Sequence, residues 1–292
     1  MNKQSIEQLI DQKVSSNGMI ETEIKGVQLF KLTDTIECAP AVYEPSVTAI
    51  VRGGKEAIWN GKKHLYDNSQ YICCTMSMPI ETGAPTTTPE NPLIGVYITL
   101  DTRLMTDLAI EIESASGATR VAKQGQNNQG LSTSTWNEDF TQALYQLLLL
   151  QENATDLAIL EKSRLRELYY ALLKGEAGYS LRRAFGVGNE IARSIEYLSS
   201  HLNETVTIEE LADQIGMSRA VFHRKFKQAT NMSPIQFVKS MRLNQAAMKI
   251  TEGTNVNVAA MDVGYASSSQ FSREFKRMYG LSPKQWGLTK TP

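Results

Sequence analysis

Two short segments of the chain combine regularly spaced phenylalanines with the side chains that proteins use to read DNA. The first is Phe222-His-Arg-Lys-Phe226, and the second, 49 residues further along, is Phe271-Ser-Arg-Glu-Phe275. An arginine guanidinium can donate two hydrogen bonds to one guanine in the major groove, while Lys and hydroxyl groups bind the flanking phosphates. These residue types predict recognition of double-stranded DNA, provided that helices present them to the groove.

Each segment belongs to one copy of a repeated unit with the features of a helix-turn-helix. In the first copy, Thr207 and Glu210 predict a capping box at the start of a helix. Gly216 supplies the positive φ of the turn, and Ser218 caps the next helix, which runs from Arg219 to about Thr230. The second copy has the same parts in the same order: Asn257 as N-cap, Ala260 as small residue, Gly264 at the turn and Ser267 as N-cap. A single such pair is more often two ordinary solvated helices, but two copies at a fixed spacing favour a DNA-binding domain.

One long helix is predicted between the two copies. Pro234 at its first position begins a helix from Ile235 to Thr251, and Gly253 ends it. A rigid helix would hold the two recognition helices at a fixed separation, and about 34 Å, one turn of DNA, lets both enter the same face. The spacing therefore predicts that one chain reads a site with two unlike halves.

Charge is distributed unevenly along the 292 residues, although the net charge is only −1. Residues 190–292 contain 13 Lys and Arg against 9 Asp and Glu, a balance of +4. The remaining residues contain 17 against 22, a balance of −5. Only the basic part needs to approach phosphate, so this asymmetry gives modest support to a C-terminal DNA-binding domain.

Residues from about Gly26 to Thr99 have the pattern of short antiparallel strands. Apolar and β-branched residues cluster or alternate in Ser46–Val51, Glu56–Trp59, Tyr71–Thr75 and Leu93–Leu100. Asn60-Gly61 predicts a hairpin turn of type I′, because both central residues of that turn need positive φ. Thr82–Pro92 and Ser116–Ser134 have the composition of loops. The pattern is typical of a small antiparallel barrel or sandwich.

The chain becomes helical after this second loop. Phe140, Leu144, Leu147 and Leu148 form one apolar stripe, and a second includes Leu168 and Leu172 and ends at Gly175. Such a helical pair can cap the barrel or form a dimer interface, and one apolar stripe looks the same in both cases. The glycines of Gly178–Asn189 predict a linker between the domains.

The C-terminal part resembles the AraC/XylS family of bacterial transcription regulators. The matching stretches are Leu211 to Lys227, Ser233-Pro234, Val263 to Tyr265, Ser269 to Lys276 and Gly280 to Pro283. The resemblance implies base contacts by Ala220, His223 and Arg224 on the first recognition helix, and by Ser268, Ser269, Ser272 and Arg273 on the second. We expect phosphate contacts from residues at the helix starts and edges, namely Ser218, Arg219, Lys227, Ser267 and Lys276.

The N-terminal part is similar to the cupin-type domain found in one branch of the same family. The residues that carry this likeness are Pro45 to Lys55, Tyr66 and Met78-Pro79. The expected fold class is multidomain α+β, with an N-terminal cupin-like antiparallel β-barrel with helices and a C-terminal all-α domain of two helix-turn-helix units. The expected boundaries are 1–115 for the regulatory domain, 116–134 for a loop, 135–177 for the helical pair, 178–189 for the linker and 190–292 for the DNA-binding domain.

The resemblance implies a transcription regulator, most often an activator, that is controlled by a small molecule. Candidate effector-pocket residues are Tyr43, Trp59, Tyr66, Tyr71 and Met76, although for any one of them filling the core is the more frequent role. The expected partners are DNA, an unidentified effector, a second copy of the chain and RNA polymerase. A DNA-binding protein of purely architectural role, without an effector, is the competing class.

Enzymatic chemistry finds little support in the sequence. A metal site needs clustered ligands, but the histidines are only His64, His201 and His223, two of them in the DNA-binding half, so we expect no metal and no cofactor. Cys73 and Cys74, with Cys38 as possible partner, invite a redox sensor, yet on adjacent strand positions one thiol would face in and one out. Nothing beside these thiols marks an activated methyl acceptor of a DNA-repair enzyme. The polar N-terminus, the lack of a long apolar run and the few cysteines predict a cytoplasmic protein.

Overall fold

The chain folds into two compact units, seen in a computed structural model that describes residues 3–59, 61–115, 130–186, 190–204 and 206–290. Unit 1 comprises Met1–Cys38, Glu44–Met76 and Thr82–Asn189. Unit 2 comprises Ala39–Tyr43, Ser77–Glu81 and Glu190–Pro292. The N-terminal half supplies the sheets, and the C-terminal segment from Glu190 is helical throughout its described part.

Strands among the described residues form two sheets. They are β1 (Gly18–Glu21), β2 (Val27–Leu32), β3 (Ile36–Tyr43), β4 (Ser46–Arg52), β5 (Gly54–Trp59), β6 (Lys62–Asp67), β7 (Gln70–Cys74), β8 (Met78–Ala84), β9 (Leu93–Thr99) and β10 (Leu131–Thr135). One sheet has the order β1-β2-β9-β4-β7-β10, and the other has the order β3-β8-β5-β6. The four strands predicted from β-branched clusters are confirmed as β4, β5, β7 and β9.

The hairpin predicted at Asn60-Gly61 is confirmed by the pairing of β5 with β6. Trp59 lies opposite Lys62, and Gly61 has a φ of 68°. The turn type depends also on Asn60, which lies outside the described residues. This register places Lys55, Ala57 and Trp59 on the same side of the hairpin as the residues opposite them.

Both predicted loops are corrected at one end. The loop expected from Thr82 begins only after Ala84, because Gly83 lets β8 run close to β3: a Cβ there would lie 2.7 Å from the backbone N of Cys38. In the second loop, residues 116–129 lie outside the described part, but Leu131–Thr135 form β10. Leu131 pairs with Cys74, so this Ser- and Thr-rich segment is an edge strand.

Helices cover one face of the larger sheet in unit 1. They are α1 (Lys3–Lys13), α2 (Thr102–Ala115), α3 (Glu138–Leu149), α4 (Ala154–Lys174) and α5 (Gly178–Phe185). Asn137 and Asn153 cap α3 and α4 by accepting backbone N–H groups. Their apolar faces share one core with β2, β4, β7 and β9.

Two expectations for the helical region are settled by burial. Leu168 and Leu172 are 0% exposed in the core of unit 1, so this part of the stripe packs inside the unit and these two residues cannot form a dimer interface. The linker expected from Gly178 is wrong over its first part, because 178–185 form α5 with Leu181 and Phe185 buried. Gly178 serves close packing against the Leu173 carbonyl rather than flexibility. The last linker residues, 187–189, lie outside the described part.

Unit 2 contains seven helices in its described residues. They are α6 (Glu190–Ser200), α7 (Ile208–Gln214), α8 (Arg219–Thr230), α9 (Pro234–Thr251), α10 (Val256–Asp262), α11 (Ser268–Tyr279) and α12 (Pro283–Lys290). The long connecting helix is confirmed as α9, with Pro234 in its first turn and Gly253 at a φ of 93° behind it. None of the helices described has the length and apolar run that crossing a bilayer requires.

Candidate nucleic-acid interface

The two recognition helices, α8 and α11, begin in the same way. The Ser218 hydroxyl accepts a hydrogen bond from Val221 N at 3.4 Å, and the Ser267 hydroxyl accepts one from Gln270 N at 3.3 Å. These N-caps satisfy a backbone donor that the first helical turn would otherwise leave unpaired. Both N-caps confirm the sequence prediction.

The same helices also end in the same way. Asn231 and Gly280 adopt left-handed backbone with φ values of 58° and 77°, and their N–H groups donate at 2.8 Å to the carbonyls of Lys227 and Lys276. Capping boxes follow in both copies, Ser233 with Gln236 and Ser282 with Gln285. Each pair of corresponding residues is separated by 49 positions, so the sequence repeat is a repeat of structure.

The turn before each recognition helix depends on a glycine. Gly216 and Gly264 have φ values of 66° and 85°. Met217 N donates to Ala212 O at 2.9 Å, and Tyr265 N donates to Ala260 O at 3.0 Å. The small residue therefore contacts the turn in both copies, as expected for a helix-turn-helix.

One N-cap in the second copy is placed wrongly by the sequence. The residue that caps α10 is Asn255, whose side-chain oxygen accepts from Asn257 N at 2.9 Å. Asn257 lies inside the helix. Two asparagines two positions apart are equivalent by residue type, and only the backbone conformation tells them apart.

Buried phenylalanines fix which face of each recognition helix points outward. Phe222, Phe226, Phe271 and Phe275 are all fully buried. With 3.6 residues per turn, the face opposite them is formed by the following exposed residues: Ala220, Arg224, Lys227 and Gln228 on α8, and Ser269, Arg273, Lys276 and Arg277 on α11. The structure thus brings Ala220 and Arg224 together, and likewise Ser269 and Arg273, as predicted.

Gln228 and Arg277 also belong to these exposed faces, although the sequence analysis did not select them. Each lies one turn beyond the predicted Arg224 or Arg273, and each is exposed on the same face. Their spacing of four residues from those arginines was a signal that could have found them.

Three predicted base-contacting residues lie outside this face, two of them at its edge and Ser268 towards the side of the buried phenylalanines. His223 and Ser272 occupy the same position in the two copies, and both are half-buried. The His223 ring meets Phe222 edge-on at 6.5 Å, and its Nε2 is buried without a hydrogen-bond partner in the described part of the chain. Ser268 is exposed but lies in the first turn of α11.

The predicted phosphate contacts differ in what they already bind. The hydroxyl oxygens of Ser218 and Ser267 accept the N-cap hydrogen bonds. Their hydroxyl protons can still be donated to a phosphate. Arg219 forms an ion pair with Glu209 at 2.6 Å on the surface. Lys227 and Lys276 are exposed beside Arg224 and Arg273.

The five candidate effector-pocket residues are buried but do not form one group. Tyr71 lies on the helix-covered face of the larger sheet and stacks on Phe140 at 4.1 Å. Tyr43 belongs to unit 2. The pairing of β5 with β6 puts Trp59 and Tyr66 on one side of that hairpin, and Met76 follows β7 in the same unit.

His64 lies on the same side of the β5–β6 hairpin as Trp59 and Tyr66. Its ring stacks on Trp59 with centroids 4.4 Å apart, and it is half-buried. The Trp59 indole N–H is buried and has no hydrogen-bond partner among the residues described. Trp59, His64 and Tyr66 thus share one side of the β5–β6 hairpin, with the indole N–H beside the stacked rings.

The cysteines do not form a site. Cys38, Cys73 and Cys74 form no disulfide with one another. Cys73 and Cys74 are both buried, so the expectation that one of the two thiols faces outward is wrong. Burial raises the pKa of Cys73, and it raises that of Cys74 to about 12. In the described part of the chain no three His, Cys, Asp or Glu residues come close enough to hold a metal ion.

Comparison with known proteins decides the family. The family model for the N-terminus of AraC-type transcriptional regulators matches residues 23–180, which is more than half of the chain. The chain belongs to the AraC-type transcriptional regulators. A second model, a helix-turn-helix domain, matches residues 211–288. This AraC-type chain is therefore a DNA-binding transcription regulator, and its recognition unit lies where the sequence repeat places it.

Several relatives resemble this AraC-type regulator. An uncharacterised regulator of Haemophilus influenzae is 42% identical over 27% of each chain. The transcriptional activator RhaS of Citrobacter koseri is 29% identical over 58% of this chain and 62% of its own. The bifunctional activator and DNA-repair enzyme Ada of Escherichia coli is 32% identical over 28% of this chain and 23% of its own. The first relatives are matched over about a quarter to a third of their own length.

A solved structure shares the fold over nearly the whole chain. ToxT of Vibrio cholerae, crystallised with (E)-4-(8-methylnaphthalen-1-yl)but-3-enoic acid, matches 91% of this chain and all of its own with a TM-score of 0.59. The identity is 13%, so this likeness concerns the fold alone.

Proposed function

We propose that this regulator activates transcription by inserting α8 and α11 into two adjacent major-groove segments, under the control of a small molecule bound by unit 1. The repeated outward face carries the proposal: Ala220, Arg224 and Lys227 recur 49 residues later as Ser269, Arg273 and Lys276. The arginines would each read a guanine, and the different residues at 220 and 269 would make the two halves of the site unlike. A thymine methyl group suits Ala220.

Selection of random DNA duplexes by the full-length protein, followed by footprinting, tests this proposal. We expect one enriched motif with two segments about one helical turn apart, both protected on the same face. Enrichment without a shared motif would mean that the protein contacts only the DNA backbone and reads no bases. A motif with a single segment would remove one of the two helices from base reading.

The effector part of the proposal depends on the side of the β5–β6 hairpin that carries Trp59, His64 and Tyr66. The unpaired indole N–H of Trp59 would donate to an oxygen of the ligand, and the stacked rings would contact its apolar part. A thermal-shift panel of carboxylic acids and sugars would find the ligand class. A true effector raises the melting temperature of the wild type, has a smaller effect on Trp59→Phe and alters affinity for the selected motif.

A purely architectural DNA-binding protein is the alternative function. It predicts a selected motif whose affinity no small molecule changes. The indole N–H of Trp59, which has no hydrogen-bond partner among the residues described, supports the effector-controlled regulator, because an acceptor oxygen of a ligand would satisfy it. As an activator of this kind, the protein would act in the cytoplasm and contact RNA polymerase.

We further propose that the regulator is a homodimer through an exposed stripe of α4. Ile159 is 70% exposed and Tyr170 is 49% exposed, and both are large apolar residues on a helix surface. Tyr170 also lines an open groove of about 490 Å³ between α2 and α4, whose other walls include Glu111 and Arg166. This face replaces the buried Leu168 and Leu172 as the candidate dimer contact.

A further inference from the structure

One guanidinium group connects the segment that leads into the first helix-turn-helix copy with the turn of the second copy. Arg242 lies in the middle of α9, the helix between them. Its Nη2 donates to the carbonyl of Glu204 at 3.0 Å, in the segment that leads into the first copy. Its Nη1 lies 3.5 Å from the carbonyl of Gly264, at the turn of the second copy, within hydrogen-bond reach. One guanidinium therefore donates both to the segment just before the first copy and to the turn of the second.

The turn of the second copy also packs directly on the segment before the first. A Cβ added to Gly264 would lie 2.5 Å from the carbonyl oxygen of Leu202, 3.0 Å from Cα of Asn203 and 3.1 Å from Nη2 of Arg242. Backbone on one side and a guanidinium on the other leave no room for a side chain. Gly264 is thus fixed by close packing as well as by its φ of 85°.

Arginine is suited to this junction in a way that lysine is not. A guanidinium has donors pointing in different directions from one rigid plane, whereas an ammonium group is a single point. Burial lowers the pKa of Arg242, and the nearby Tyr265 and Glu274 oppose this effect. The half-buried cation therefore depends on the two carbonyls, which partly replace the water it has lost.

Other cations of α9 connect it to the second copy alone. Lys239 pairs with Glu274 of α11 at 3.0 Å, and Glu274 also accepts from the Tyr265 hydroxyl at 2.8 Å. Lys249 pairs with Asp262 of α10 at 2.5 Å. These bonds hold α11 and α10 on α9, but among the described contacts of α9 cations only those of Arg242 also reach the segment that leads into the first copy.

We propose that Arg242 is a positioning residue that sets the distance and rotation between α8 and α11, and with them the number of base pairs between the two halves of the DNA site. It acts through the Glu204 and Gly264 carbonyls rather than by touching DNA. The inference rests on the proposed function, in which both helices read bases. Adding one base pair moves the second half by about 3.4 Å and rotates it by about 35°, a change that only an adjustable junction tolerates.

A spacing series tests the inference in the full-length protein. Three duplexes carry both selected halves. The number of base pairs between the halves is that of the selected motif, one fewer or one more. The proteins are wild type, Arg242→Met, Arg242→Lys and the control Lys249→Met, which removes an α9 ion pair that reaches one copy only. For the wild type and the control, we expect about a tenfold loss of affinity with either altered spacing, equivalent to losing the contacts of about one base pair.

For Arg242→Met we expect a flattened series, with a loss of about threefold or less at either altered spacing. Arg242→Lys should resemble Arg242→Met, because charge alone does not restore the two-carbonyl contact. An unchanged tenfold penalty in folded Arg242→Met, with circular dichroism and melting near those of Lys249→Met, overturns the inference. If Arg242→Met does not fold, Arg242→Lys decides in the same way. A wild type with no spacing preference would instead contradict the proposed function itself.

Discussion

Arg224 and Arg273 occupy corresponding positions at the centre of the two outward faces. Each can donate two parallel hydrogen bonds to a single guanine, so truncation should affect one position of the DNA site. We expect Arg224→Ala and Arg273→Ala each to cost about 1–3 kcal/mol of binding free energy and to relax base preference at one position of its own half. Competition binding against all single-base variants of the selected motif measures both effects.

Lys227 and Lys276 provide the matched controls on the same helices. Their alanine variants should weaken binding to all sequences alike and lower the slope of log K against log salt by about 1 each. A uniform loss for Arg224→Ala would contradict its base-reading role. A changed preferred sequence for Lys227→Ala would contradict its assignment to phosphate.

The thiols give a second prediction at this scale. Because the thiolate is the reactive form, the raised pKa values of Cys73 and Cys74 keep both groups protonated and unreactive at neutral pH. We expect iodoacetamide to modify the half-buried Cys38 in the native protein and all three cysteines after denaturation. Mass spectrometry of tryptic peptides distinguishes the sites, and rapid native labelling of Cys73 or Cys74 would revive the sensor hypothesis.

Individual residues were predictable from sequence where type and spacing agree. The caps Ser218 and Ser267 and the turn glycines follow from such local rules. Asn255 could not be separated from Asn257, and Tyr71 could not be separated from Trp59, because the choice depends on backbone conformation and on which face of a sheet the helices cover.

At the scale of the element, α8 and α11 each end at a residue with left-handed backbone, which is an asparagine in the first copy and a glycine in the second. Asn231 and Gly280 have φ values that favour glycine, tolerate asparagine and disfavour alanine. A Cβ at Gly280 would meet nothing within 4 Å, so only backbone strain opposes a substitution there. We expect Gly280→Ala and Asn231→Ala each to lower the free energy of unfolding by about 1 kcal/mol.

Asn231→Gly is the control for this pair, since it keeps the conformation available without adding strain. It should leave stability within about 0.5 kcal/mol of the wild type. Urea unfolding followed by circular dichroism measures all three variants. Equal stability of Gly280→Ala and the wild type would show that the helix end can rearrange without the left-handed residue.

Elements with strong local signals were predictable, and those defined by tertiary packing were not. The helices α8, α9 and α11 have caps at their N-termini and glycine or asparagine behind them. In contrast, β10 is a Ser- and Thr-rich segment that becomes a strand through its pairing with β7, and α5 carries glycines that normally indicate a linker. Composition indicated a loop in both cases, and partners distant in sequence overrode it.

For the molecule as a whole, the two parts of the chain differ in the sign of their net charge. The balance of +4 in residues 190–292 lies in the part with the recognition helices, while the remainder carries −5. The acidic remainder would oppose non-specific attraction to DNA, so under the proposed function affinity would depend on the local faces of α8 and α11. A net charge near zero therefore does not argue against DNA binding in this chain.

The proposed dimer of two chains depends on the exposed face of α4. Ile159 and Tyr170 are exposed on α4, whereas Leu168 on the same helix is buried in unit 1. Charge introduced at Ile159 meets water in the monomer but would be desolvated in a dimer, while charge at Leu168 opens the core. We therefore expect Ile159→Asp and Tyr170→Asp to yield folded monomers, and Leu168→Asp to lose several kcal/mol of stability or fail to fold.

Sedimentation equilibrium combined with thermal unfolding distinguishes these outcomes. The melting temperature of Ile159→Asp should equal that of the wild type measured at a concentration low enough for the wild type to be monomeric, because the substitution changes no core contact. As a control, Ala158→Asp alters an exposed neighbour on α4 that lies off the stripe and should leave the dimer intact. Dimers that persist in Ile159→Asp and Tyr170→Asp would rule out this face, and with Leu168 and Leu172 buried the contact would have to lie outside the apolar stripes of α4.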